Sequence, residues 1–185
     1  KDGKAEMIKK DTVRAKGIAC FWKTETPPTD AISGALITFN PDGSVNLNTG
    51  VVEIGSGDQT HLAQILAQKL GISPDNVHVI MDVDTRTAPE HWKTVASLTE
   101  YMAGNAVLEA VDDILDRLRI NGSEALKCPI EDIRIENGRV FAKTNPEHFI
   151  EFKDIVQGYQ SEDGESLGLP VIGRGGFMLK GLSKL

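Results

Sequence analysis

Between Ala35 and Gly71 the hydrophobic period changes once, and that change limits the fold more than any other feature of the chain. Ala35, Ile37 and Phe39 alternate with other residues, Asn40-Pro41-Asp42-Gly43 supplies turn chemistry, and Val45, Leu47 and Thr49 alternate again. A period of two on both arms predicts a β-hairpin with one buried face. Val51 to Ile54 extends the second arm, and Gly55-Ser56-Gly57 breaks it. Leu62, Ile65, Leu66 and Leu70 then recur at helical spacing, which predicts a helix from about Asp58 to Leu70 with Gly71 as its C-terminal cap.

The next segments repeat the strand-then-helix order. Asn76 to Met81 reads as a strand, and Arg86 to Ala96 as an irregular loop holding Pro89, His91 and Trp92. Ser97 and Glu100 have capping-box spacing and open the longest helix, to about Arg119, with Met102, Ala106, Val107, Ala110, Val111, Ile114 and Leu118 on one side. Asn121-Gly122 is the expected stop. Beyond it, Asn137-Gly138 predicts a two-residue hairpin turn, Glu151 to Gln157 a short helix, and Gly168 to Met178 loop and strand. The order β-β-α-β-α with a small β-β-α tail predicts an α+β fold: two layers, a mixed sheet with helices packed on one face. Residues 1–16 read as a polar arm and residues 17–185 as one domain, with its core in 34–143. Within it, Gly17 to Lys23 is β-prone and Thr24 to Pro28 a turn or linker.

Composition narrows the function classes. The 185 residues carry 20 Lys+Arg against 27 Asp+Glu, a net charge of −7, which disfavours a nucleic-acid binder needing a basic face. No apolar run approaches the roughly 18 residues of a membrane span. Cys20 and Cys128 share no metal-type spacing and suit two small buried thiols in a reducing, cytoplasmic compartment. The start at Lys1 without Met suggests an excised piece of a longer chain.

Two segments could carry chemistry. Gly55-Ser56-Gly57 precedes a helix, so its amides can approach a polar or anionic ligand; the same glycines also suit a tight turn. Thr94-Val95-Ala96-Ser97-Leu98-Thr99 places small residues and hydroxyls at the mouth of the long helix, either for a ligand or as an ordinary cap. Glu53 beside the glycine loop reads as a solvent-facing strand residue or a cap partner. The four histidines show no ligand spacing, and His78 reads as a half-buried strand residue. The loop lacks the lysine of a Walker A motif. A dinucleotide fold is disfavoured by Thr60 at the third-glycine position and by the preceding hairpin.

The ordered series Gly34 to Val45, Glu53 to Thr60, His61 to Gly71, Asp84-Thr85 with Pro89, and Thr94 to Ser97 resembles the molybdopterin-binding large subunit of the xanthine dehydrogenase/aldehyde oxidase family, the molybdenum hydroxylases. The resemblance is densest over 34–119. It implies that Gly55, Ser56, Gly57 and the run Thr94, Val95, Ala96, Ser97, Leu98 and Thr99 approach the pyranopterin cofactor, largely through main-chain groups. It also implies a parent enzyme that oxidises an aldehyde or N-heterocycle with water as oxygen source, is oligomeric, and passes electrons to iron–sulfur clusters and FAD in other domains or subunits. Many members carry Gln between the two glycines, where this chain has Ser56. The family's catalytic glutamate, near its far C-terminus, has no matching segment here. The chain is therefore expected to form one lobe of a cofactor cradle, binding molybdopterin poorly and catalysing nothing alone. A non-catalytic binding or interaction domain, and less so a dinucleotide-binding domain, are the alternatives.

Overall fold

A computed structural model describes residues 6–22, 31–161 and 163–179. Two strands, β1 (Glu6–Lys9) and β2 (Thr12–Arg14), are followed by β3 (Ile32–Phe39), β4 (Val45–Thr49), α1 (Asp58–Leu70), β5 (Val77–Ile80) and α2 (Leu98–Leu126). The remainder comprises β6 (Ile133–Glu136), β7 (Arg139–Ala142), β8 (Asn145–Glu151), α3 (Phe152–Ile155), β9 (Tyr159–Gln160), β10 (Ser166–Leu167) and β11 (Ile172–Met178). The fold is α+β.

The main sheet has the order β11-β3-β4-β5. β3 pairs antiparallel with both β4 and β11, whereas β4 and β5 are parallel and joined through α1. The alternation seen in sequence decides which face is covered: Ser33, Ala35, Ile37 and Phe39 of β3 are buried, as are Val45, Leu47 and Thr49 of β4. Against that face lie α1, through Leu62 and Leu66, and α2, through Ala106, Val107, Ala110, Ile114 and Leu118. Leucines with no residual exposure, such as Leu47, Leu62 and Leu66, each contribute about 1.5–3 kcal/mol of transfer free energy.

The expected stop of the long helix fails. α2 continues through Asn121-Gly122 to Leu126 and ends on Lys127, whose φ is 52°. Gly122 is there for contact: a Cβ at this position would stand 2.5 Å from Val140 Cγ1 on β7. Asn121 Nδ2 donates to the Leu169 carbonyl at 3.1 Å. Both residues fasten the helix to the second sheet, β6-β7-β8, and to the segment leading into β11. The Asn137-Gly138 turn between β6 and β7 forms as predicted, with φ of 52° and 71°. The short helix predicted over 151–157 is reduced to α3. The buried core extends beyond 143 to Ile150, Phe152, Ile155, Val156 and Val171.

Strand β11 is an integral part of the main sheet, paired with β3 along its whole length from Ile172↔Thr38 to Met178↔Ile32. It lies close beneath α2. A Cβ at Gly173 would overlap the Ala110 carbonyl, and one at Gly175 would overlap the Ala106 carbonyl. Earlier in the chain, β1 and β2 form a ribbon whose residues are all exposed. The described part of the β-prone run, 17–22, pairs with no strand, and Ile18, Phe21 and Trp22 are exposed. Lys23 and the linker expected at Thr24 to Pro28 lie outside the described residues. Cys128 is half-buried, but Cys20 is exposed, contrary to the expectation of two buried thiols. His78 is exposed as well. Among the described residues no helix is long and apolar enough to cross a membrane.

Candidate functional site

β4 ends at Thr49, and beyond it the chain from Glu90 to Trp92 takes over its place beside β3. Gly34 N donates to the Glu90 carbonyl at 2.8 Å, and Trp92 N donates to the Ile32 carbonyl at 2.9 Å. The missing side chains of Gly34 and Gly50 make room for this loop: a Cβ at Gly34 would stand 2.8 Å from Pro89 Cβ, and one at Gly50 3.0 Å from His91 N. Ser33 Oγ and His91 Nδ1 lie 2.9 Å apart, and burial holds the imidazole below its ordinary pKa. The anchored loop delivers Thr94 to the segment that follows β4. Val52 N, three residues ahead of Gly55, donates to Thr94 Oγ1 at 3.0 Å.

The two helix starts also meet. His61 Nδ1 on α1 lies 3.1 Å from Glu100 Oε1 on α2. Asp58, fully buried at the first turn of α1, takes a short hydrogen bond from Ser56 Oγ at 2.5 Å. Desolvation and, next, the facing Asp58 carboxyl push Glu100 above the ordinary carboxylate range; His61 opposes them without reversing the shift. The capping box does not form. Ser97 makes no side-chain cap, Glu100 turns to α1, and Thr99 Oγ1 instead accepts from Val95 N at 2.9 Å.

The starts differ in what satisfies their amides. At α1, Glu53 Oε1 accepts from Gly55 N at 2.7 Å and Gly57 N at 3.0 Å, and its Oε2 from Gln59 N at 3.3 Å. These bonds, that from Gly57 foremost, hold the Glu53 carboxyl below its ordinary range. At α2 no side chain occupies the cap position, Ala96 and Ser97 are exposed, and the first helical amides have no intrahelical acceptor. Ala96 has φ 45°, a left-handed conformation that a residue with a Cβ rarely adopts.

Gly55 and Gly57 have φ of 96° and 84°. A Cβ at Gly55 would meet nothing within 4 Å, and one at Gly57 only the His61 ring, 3.5 Å away. The loop is thus glycine-rich for its backbone shape while its outer face stays open. A pocket of about 310 Å³ lies alongside, lined by Gly50, Val83, Thr85, Ala88, Pro89, Glu90 and His91, none of them in 55–57 or 94–99. Sequence reasoning missed the burial of Asp58 and the Glu100–His61 contact, because Glu100 fitted a local cap and nothing in the spacing marks Asp58 as buried.

A family model described as a molybdopterin cofactor-binding domain matches residues 1–174. The chain belongs to that family. It is 34% identical over 122 residues to one of the nicotinate dehydrogenase subunits of Pseudomonas putida, covering 66% of this chain and 10% of the relative. It is 28% identical over 159 residues to the putative xanthine dehydrogenase molybdenum-binding subunit of Escherichia coli K12, covering 83% and 21%. Among solved structures, the reconstituted CO dehydrogenase of Oligotropha carboxidovorans superposes with a TM-score of 0.65 at 28% identity, over 77% of this chain and 18% of that one. Quinoline 2-oxidoreductase of Pseudomonas putida 86 shares the fold, with a TM-score of 0.68 at 24% identity over 82% and 19%. The chain therefore spans between a tenth and a fifth of these relatives' lengths.

Proposed function

We propose that the chain forms part of the molybdopterin pocket of a molybdenum hydroxylase large subunit, in which Gly55, Ser56 and Gly57 and the run Thr94, Val95, Ala96, Ser97, Leu98 and Thr99 would hold the cofactor. The contact between His61 Nδ1 and Glu100 Oε1, 3.1 Å apart, carries this reading, since it holds the starts of α1 and α2 together, while the hydrogen bond from Val52 N to Thr94 Oγ1 ties the chain just ahead of the glycine loop to the second segment. The residues fit a large, polar, partly anionic group. The uncapped α2 start offers main-chain donors at the positive end of a helix 29 residues long. The open face at Gly55 admits close approach of a planar ring system. Ser56 Oγ is committed to Asp58, so the loop presents a compact hydroxyl where many members extend a Gln.

When bound, the molybdenum cofactor supplies the two-electron oxidation of substrate with oxygen from water. This chain's residues bind and orient: α2 donates to the cofactor's acceptors, and the loop sets how near the ring system comes to α1. Glu100 holds His61, which keeps the starts of α1 and α2 side by side. Nicotinate and xanthine, in the names of two relatives, make an N-heterocycle the favoured substrate class. Iron–sulfur and flavin domains or subunits are the expected electron route, in an oligomeric parent.

Metal and pterin analysis of the full-length protein tests the proposal. Stoichiometric molybdenum and pterin are expected; an active protein free of both would overturn it.

A further inference from the structure

The glycine loop raises a problem that its proposed role does not solve. Two glycines at positive φ give this loop much backbone freedom to lose on ordering, because glycine loses more than any other residue. A cofactor contact requires the opposite, a loop that holds its shape before the ligand arrives. One group just ahead of the loop, beyond the end of β4, meets that need. Glu53 bridges Gly55 N and Gly57 N with one oxygen and reaches Gln59 N with the other. Hydrogen bonds from amides to an ionised carboxylate are about twice as strong as those between neutral groups. An anion of this chain thus occupies the place at the α1 start where an anion of the ligand would otherwise be drawn.

We propose that Glu53 is the positioning residue of the glycine loop: its carboxylate serves as an internal anion that fixes the loop around the amides of Gly55, Gly57 and Gln59 and directs the cofactor's anionic groups to the open start of α2. The inference rests on the function proposed above. It alters that function in one respect, since the loop meets the cofactor through its open Cβ-less face and Ser56, while the Gly55 and Gly57 amides are already engaged. The carboxylate suits this task because the same bonds keep it ionised.

The test compares Glu53→Gln with Glu53→Ala in the purified parent holoenzyme. A Gln side chain retains an oxygen for both glycine amides and loses the acceptor for Gln59 N, whereas Ala removes all three bonds. Glu53→Gln, which keeps two of the bonds but not the charge, should hold a molybdenum and pterin content between that of the unaltered protein and that of Glu53→Ala. Glu53→Ala should lose it by about tenfold or more, the usual scale for residues that support a ligand's neighbours. Formate at millimolar concentration should refill the vacated amides: it should raise the thermal midpoint of Glu53→Ala and restore its loading, and do neither for the unaltered protein. Wild-type loading in Glu53→Ala, or equal loss in both variants with no response to formate, would overturn the inference. Absence of molybdenum from the unaltered protein would overturn the proposed function instead, and the formate-dependent shift in midpoint would still judge Glu53.

Discussion

Two pairs of glycines, Gly55 with Gly57 and Gly173 with Gly175, look alike in sequence and exist for opposite reasons. In the loop, the backbone demands glycine while the space around it is nearly empty. In β11 the backbone is ordinary extended strand, and the space demands glycine, because α2 lies where side chains would be. The first pair leaves a surface open to something outside the chain. The second lets strand and helix pack at close range. The number of glycines in a segment therefore says little about function; what surrounds each missing Cβ says much more.

The sharpest way to break this contrast is Gly175→Val, whose side chain would collide with the α2 backbone. Destabilisation at or beyond about 3 kcal/mol is expected, seen as loss of folded protein by circular dichroism; a normal melting curve would show that β11 and α2 separate easily. Gly55→Val should behave differently. The left-handed conformation costs a residue with a Cβ about 1–2 kcal/mol, so the fold should survive with a lowered midpoint while molybdenum content collapses. Full loading would remove the loop from the pocket. Gly122→Ala is intermediate, since helix propensity favours Ala by about 1 kcal/mol while contact with Val140 opposes it. We expect a net loss of about 1 kcal/mol in denaturant midpoints, and a gain would mean that β7 yields. Ala96→Gly probes the same backbone rule in reverse: it should stabilise by about 0.5 kcal/mol, and an unchanged midpoint would mean that the αL turn is unstrained.

One prediction concerns pH. Because the folded value of Glu100 is raised above the ordinary 4.5, its contribution to stability is present in acid and fades as pH rises through that folded value. Glu100→Gln mimics the protonated carboxyl. Its midpoint should match the parent's below pH 4.5 and exceed it at higher pH. Equal midpoints throughout would show that neither burial nor the facing Asp58 disfavours the ionised Glu100.

The hairpin, α1 and the Asn137-Gly138 turn were legible in sequence because each is specified locally, by period and turn chemistry. The pairing of β11 with β3 was not, since strands distant in sequence carry no mark of their partner. Gly122 misled because an Asn-Gly pair ordinarily ends a helix, and only the proximity of Val140 explains its place inside one. The two candidate segments were visible as glycine- and hydroxyl-rich helix starts. What sequence withheld was their difference: that Glu53 already serves one of them, while Ser97 leaves the other uncapped.

The pairing of Thr38 with Ile172 bears on biosynthesis. Until β11 emerges from the ribosome, the outer edge of β3 presents unsatisfied peptide groups, a template for any extended stretch nearby. Closure of the main sheet thus waits on more than a hundred residues of further synthesis, and a chaperone that shields that edge meanwhile would protect the nascent chain from aggregation.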